Sequence, residues 1–182
     1  MLIADTSGTP LDGIVEADET FVGGKGKNRA YEWSDGETSP KEIVMGMVQR
    51  GGKVYMKHIP NTGKWTLLKQ IKDNVSPKAK IYTDDYRGYI GVKYYGYEHE
   101  SVNHSAGEYV KGEIHTQNID NVWSHLKRGI FGVYRVVSSK YLQAYADEFG
   151  WRYNNRGYKD GMFERLLKQI AEVKIIRSQN LP

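Results

Sequence analysis

Two apolar runs, residues 42–49 and 53–59, are parted by nothing more than Arg50-Gly51-Gly52. A Gly-Gly pair in that position constrains the chain strongly, because a tight turn needs backbone angles that glycine adopts freely. The two runs are therefore predicted to fold back on each other as an antiparallel hairpin. A third strand is expected ahead of the hairpin over residues 13–24, where Gly-Ile-Val-Glu-Ala-Asp-Glu-Thr-Phe-Val runs into Gly23, Gly24 and, two residues on, Gly26. The intervening residues 25–41 are polar, charged and interrupted by Gly and Pro, which reads as a loop or hairpin connection.

After the hairpin the hydrophobic period changes. Trp65, Leu68, Ile71 and Val75 recur at three- and four-residue steps, Asn61 or Thr62 can cap the start, and Pro77 stops the pattern, so a helix is predicted over residues 63–75. Lys80-Ile81-Tyr82-Thr83 reads as a short strand ending at Asp84-Asp85, and residues 97–102 as another. Helical patterns then cover residues 118–130 (Ile119, Val122, Trp123, Leu126, Ile130), 139–156 (Leu142, Tyr145, Phe149, Tyr153) and 162–176 (Phe163, Leu166, Leu167, Ile170). Antiparallel strands first and a crossover helix next imply an α/β chain with a mixed sheet flanked by helices. RNase H-like domains have this strand order, and several other α/β folds share it.

The 182 residues suit one domain, with a core over about 13–156 and a helical extension over about 157–182. There is no cysteine, which excludes disulfides and thiolate zinc sites and makes a reducing cytoplasm the expected setting. No window has the unbroken apolar run of a membrane helix, and Met1-Leu2-Ile3-Ala4-Asp5 lacks the basic-then-apolar pattern of a secretory signal. A net charge of +4 and a pI near 9.0 are compatible with a polyanionic partner but too modest to imply one.

Three carboxylates occupy informative places: Asp18 inside the first strand, Asp84 at the end of the fourth, and Asp120 in the first turn of the helix after the fifth. A charge in mid-strand is costly unless it faces solvent or binds something. Strand ends and helix starts are where open sheets place ligands. All-oxygen acidic clusters suit Mg²⁺ or Mn²⁺, and two such ions about 3.5–4 Å apart can clamp the attacking and leaving oxygens of a phosphoryl displacement. The helix dipole would help keep Asp120 ionised. Spacing alone leaves alternatives open, since Glu16 and Glu19 flank Asp18, and Asp85 competes with Asp84.

The words around these carboxylates carry a resemblance. Val15-Glu16-Ala17-Asp18-Glu19-Thr20-Phe21-Val22-Gly23-Gly24-Lys25, then Tyr82-Thr83-Asp84-Asp85-Tyr86-Arg87-Gly88-Tyr89, then His115 to Gly129 (HTQNIDNVWSHLKRG) resemble, in order, the three catalytic blocks of the ISXO-type insertion-sequence transposases, relatives of the Merlin transposons. Val137-Ser138-Ser139-Lys140-Tyr141-Leu142 and the stretch from Asp147 to Asn154 continue the match, which spans about residues 13–156. The resemblance implies a DDE-type transposase domain of RNase H-like fold. It implies Asp18, Asp84 and Asp120 as catalytic metal ligands for Mg²⁺ or Mn²⁺, two ions in all. At the third position Glu is usual in the family, so Asp120 departs from the pattern by one methylene, and Asn118, Asn121 and His115 are reserve ligands.

Lys127 follows Asp120 by two helical turns and so projects from the same face, with Trp123 and Ser124 between them. The resemblance gives this lysine a role in holding a DNA phosphate. Without it, a solvated Lys on an amphipathic helix explains the position. Lys25, Lys27 and Arg29 among the early glycines, and Arg128, are further candidate DNA contacts. His58, His99, His104 and His125 show no ligand spacing. The implied activity is metal-dependent hydrolysis at transposon ends, followed by transfer of the 3′-hydroxyl into target DNA. The implied partners are transposon-end and target DNA and further copies of the chain, with no membrane and with a bacterial nucleoid as the setting. An inactive DNA-binding remnant and another RNase H-like nuclease are the alternatives. Family members are two-part proteins with an N-terminal zinc-ribbon or helix-turn-helix module, which this sequence is expected to lack, so binding should run mainly through phosphates.

Overall fold

The computed structural model describes residues 9–23, 41–103, 110–134, 137–158 and 161–179. Within them β1 (Ile14–Val22), β2 (Glu42–Gln49), β3 (Val54–Ile59), β4 (Lys80–Asp84) and β5 (Glu98–Val102) form one mixed sheet in the order β3-β2-β1-β4-β5. Strand β2 is antiparallel to both of its neighbours, β1 and β3, and β4 and β5 run parallel to β1. The predicted hairpin closes where Gly51 takes φ +70, an angle unfavourable for any residue with a Cβ. The helices are α1 (Lys64–Asn74), α2 (Gln117–Gly129), α3 (Ser139–Asn154) and α4 (Met162–Gln179), with a π-helical turn over Ile130–Tyr134 extending α2.

Both faces of the sheet are covered. On one side Val15 and Ala17 of β1 and Met45 and Met47 of β2 pack with Leu67 and Ile71 of α1. On the other, Val44 and Val48 of β2 and Met56 of β3 meet Ile119, Val122, Trp123 and Leu126 of α2 and Leu142 and Ala146 of α3. Two-sided burial explains why β2 reads as nearly continuous apolar sequence rather than as an alternation. Each fully buried aliphatic side chain here contributes about 1.5–3 kcal/mol.

Four expectations need correction. Helix α1 starts at Gly63 with no side-chain cap, while the Asn61 carboxamide oxygen accepts bonds from the Gly63 N–H (3.0 Å) and the Thr66 hydroxyl (2.8 Å). Trp65 is 69% exposed and Leu67 takes its place in the core. A six-residue step turns a helix by about 120° away from a full number of turns, so Trp65 cannot share a face with Ile71. In α3 the buried residues are Leu142, Ala146, Gly150 and Trp151, and the aromatic side chains Phe149 and Tyr153 are half-buried. Small residues at four-residue spacing let the helix lie close to β3. On α4, Phe163, Leu167 and Ile170 are exposed rather than buried.

Candidate active site

Parallel pairing of β1 with β4 couples Ile14 to Lys80, Val15 to Ile81 and Glu16 to Tyr82. Continued by two residues, the same register brings Asp84 level with Asp18 and on the same face, because side chains alternate along both strands. That face is the one covered by α2. The Asp84 carboxylate accepts the Tyr86 N–H at 3.1 Å, which turns the chain sharply as it leaves β4. Asp85, its competitor in the sequence, is exposed.

Asp18 is held from above by α2. The indole N–H of Trp123 donates to its Oδ2 at 2.8 Å. The indole reaches this far because the β2 residue opposite Asp18 is Gly46. A Cβ at Gly46 would lie 2.5 Å from Trp123 Cη2 and 2.9 Å from Ile119 Cδ1, so only glycine leaves the ring its bed. Burial pushes the Asp18 carboxyl from its ordinary 3.8 up to about 6; the Trp123 indole and the Glu19 backbone N–H hold it down, and the charges of Asp84 and Asp120 push it up further. The three carboxylates implied by the resemblance are therefore electrostatic neighbours around Asp18.

Glu16, one pleat below Asp18 on the same face, is fully buried. Its carboxylate accepts the backbone N–H groups of Asn118 (2.8 Å) and Ile119 (3.2 Å), the Asn118 carboxamide (2.7 Å) and Arg50 Nε (2.7 Å). It thus terminates α2 from a strand about a hundred residues away, satisfying N–H groups that a helix start leaves orphaned. Arg50 also donates to the His115 carbonyl at 3.2 Å, and the His115 ring lies 3.4 Å from Glu16. Of the reserve ligands, Asn118 gives its carboxamide N–H to Glu16, while the His115 Nδ1 accepts the Gln117 N–H at 3.3 Å. Asp120 sits in the first turn of the helix so anchored, exposed, within electrostatic range of Asp18.

Glu19 points to the opposite side of β1, where the Tyr89 hydroxyl donates to it at 2.5 Å. Burial pushes it from 4.5 up to about 7, against the Tyr89 bond, with Asp18 and Asp84 adding to the rise. Lys127 and Arg128 lie exposed in the last turn of α2, Arg128 bonded back to the Ser124 carbonyl at 3.2 Å. Lys25, Lys27 and Arg29, like His104, lie outside the described residues. Sequence reading missed the Trp123 bond, the Gly46 bed and the anchoring role of Glu16. A glycine inside an otherwise apolar strand was a signal for close approach, but only the cross-strand register says what approaches.

Among the described residues, no three His, Asp or Glu side chains stand close enough together to hold a metal ion as they are, and no helix is long and apolar enough to cross a membrane. The catalytic core domain of BIV integrase superposes on this chain with a TM-score of 0.51 at 13% identity, covering 90% of this chain and 99% of that one. The likeness shows the fold, which is the RNase H-like fold expected from the strand order. An uncharacterized transposase-like protein of Haemophilus influenzae is 29% identical over 124 residues, which is 68% of this chain and 98% of that protein. The family model of the ISXO2-like transposase domain matches residues 10–154, the span that holds the whole sheet, α1 to α3, Asp18, Asp84 and Asp120, and on that match the chain belongs to the ISXO2-like transposase domain family.

Proposed function

We propose that the chain is the catalytic domain of a DNA transposase, cleaving at transposon ends and joining the freed 3′-hydroxyl to target DNA, with Asp18, Asp84 and Asp120 as the metal-binding carboxylates. The observation that carries this is the register of β1 against β4, which sets Asp84 level with Asp18 on the face crossed by α2. Asp18 is half-buried, its hydrogen bonds come from uncharged groups, and among the described residues its charged neighbours are negative, so a cation fits what the site lacks. The donors are all carboxylate oxygens, which fits Mg²⁺ or Mn²⁺. When bound, such an ion supplies charge stabilisation to the phosphoryl oxygens and activates the attacking water or hydroxyl.

The chain's own residues would do the positioning. Trp123 fixes one oxygen of Asp18, and Glu16 with Arg50 fixes the start of α2 and hence Asp120. Lys127, two turns along, would hold a backbone phosphate. Further copies of the chain would join it in the active complex.

The test uses labelled duplexes taken from the DNA flanking the gene, incubated with the protein in Mg²⁺, Mn²⁺ or EDTA. Metal-dependent nicking that leaves a 3′-hydroxyl, and that is lost in Asp18→Asn and Asp84→Asn, is expected. DNA binding with no cleavage in either metal would overturn the catalytic assignment and leave a DNA-binding remnant.

A further inference from the structure

A cavity of about 420 Å³ opens between α2 and α3 beside β3, outside the carboxylate cluster. Its floor is apolar, made by Met56 and Val122, with Phe149 half-buried beside them. Its rim is cationic: Arg152 and Arg156 come from the end of α3 and the residues just past it. The Arg156 guanidinium lies 3.9 Å over the Tyr153 ring and donates to the Tyr153 carbonyl (2.7 Å) and the Gly52 carbonyl (3.3 Å), so ring and guanidinium form one fixed flat wall. Arg152 is 60% exposed and gives one N–H to Glu148 at 2.6 Å. A guanidinium has five N–H donors, so this pairing does not exhaust it. Facing them, Asn121 and His125 line the α2 side one turn apart, and Asn121 directly follows Asp120.

From these features we infer that the cavity holds one unpaired nucleotide of the DNA strand lying across Asp120, its base between Phe149 and the Tyr153 wall and its phosphate at Arg152 and Arg156. The inference rests on the DNA reading proposed above. The volume is at the small end of the roughly 300–1,000 Å³ typical of pockets for small molecules, which suits one nucleotide and excludes a duplex. An aromatic platform flanked by cations is the pairing that single-stranded nucleic acid requires, the base stacking while the backbone meets positive charge. Asn121 and His125 supply hydrogen-bonding groups for the edge of the base. A strand leaving Asp120 has only the shoulder of α2 to cross, because consecutive helix positions are about 100° apart.

Fluorescence anisotropy in EDTA, where cleavage cannot occur, tests the inference on the full chain with two labelled probes: a 20-base-pair duplex and the same duplex carrying one bulged nucleotide. The bulged probe should bind about tenfold more tightly, the scale of one stacked base. Two variants, Asn121→Trp filling the cavity from an exposed helix position and Arg156→Gln removing the charge, should each lose that preference while plain-duplex affinity stays within about twofold of the parent chain's, well inside that scale. Equal affinity of the parent chain for the two probes, or a preference that survives both substitutions, overturns the nucleotide pocket and leaves the DNA reading standing. Binding of neither probe overturns the DNA reading itself.

Discussion

The position of Asp18 should make the protein less stable than it could be, and the size of that effect follows from its carboxyl. Half-buried under Trp123 and near two other carboxylates, it is pushed from 3.8 to about 6. At 1.36 kcal/mol for each factor of ten in proton affinity, the rise corresponds to about 3 kcal/mol of destabilisation once the group is ionised. The folded-state pKa lies above the unfolded one, so the effect is absent below about pH 4, grows as pH rises, and is complete above about pH 6. Asp18→Asn removes the charge while keeping an oxygen to accept the Trp123 indole N–H. In metal-free buffer at pH 7.5 the variant should be about 3 kcal/mol more stable than the parent chain, roughly 6–12 °C in Tm for a chain of this size. At pH 4.5 the gain should shrink to about 1 kcal/mol. Adding Mg²⁺ should raise the parent's Tm and leave the variant's unchanged. Urea denaturation at both pH values, repeated with and without the ion, reads all of this. A variant less stable than the parent at pH 7.5, or equally stabilised at both pH values, would refute the reasoning.

The other expectations concern the groups around Asp18. Asp120→Asn should abolish cleavage in Mg²⁺ with folding and DNA affinity retained, and Asp120→Glu should keep or raise it; an active Asp120→Asn protein would remove Asp120 from the ligand set and leave Asp18 and Asp84 in place. Gly46→Ala should displace the Trp123 ring and cost about 1–3 kcal/mol by overpacking, with a shift in the indole fluorescence to report the movement; an unchanged spectrum and stability would contradict the close approach. Glu16→Gln should cost about 1–3 kcal/mol, because the half-buried Arg50 and the N–H groups at the start of α2 lose the charge that balances them, and thermal melts read by circular dichroism would measure it. DNA affinity should fall steeply with salt, with a log–log slope of about −0.9 for each phosphate contacted, and a flat titration would argue against phosphate-dominated binding.

Most of the sheet was legible because its strands are marked by local chemistry. The bounds of β2 coincide with the apolar run at residues 42–49, and the hairpin beyond it is dictated by Gly51 and Gly52. Helix positions were legible too, but which residues face inward was less so. Trp65 and Leu167 are apolar at helical spacing and still exposed, because packing depends on which neighbouring element has room rather than on hydrophobicity alone. The candidate site divides the same way. The carboxylates Asp18, Asp84 and Asp120 stand out through their places in strand, strand end and helix start. Their supports do not, because a bond such as Trp123 to Asp18 joins residues 105 apart in the chain, and nothing local encodes the β2 register that puts Gly46 beneath the ring.

The contrast between Glu16 and Asp18 separates two carboxylates that the sequence presents as equals. They lie on the same strand and the same face, Glu16 fully buried and Asp18 half-buried. Glu16 meets a guanidinium and the N-terminus of a helix, so its negative charge is balanced inside the protein. A residue placed that way is an anchor, with every oxygen already engaged. Asp18 receives hydrogen bonds from uncharged groups, while its charged neighbours, Asp84 and Asp120, repel it. Partial burial with no counter-charge among the described residues is a poor solution for a structural residue, since a desolvated, unbalanced charge costs stability and a neutral Asn would serve the Trp123 bond as well. It is a good solution for a ligand, since the electrostatic strain disappears when a cation arrives, and part of the binding energy of that cation comes from the relief. The same reasoning sets Glu19 apart: its proton affinity is raised as well, but Tyr89 closes it off on the far face of the sheet. Of the three acidic residues crowded at positions 16, 18 and 19, only Asp18 combines an unbalanced charge with a place on the face that α2, and with it Asp120, overlies.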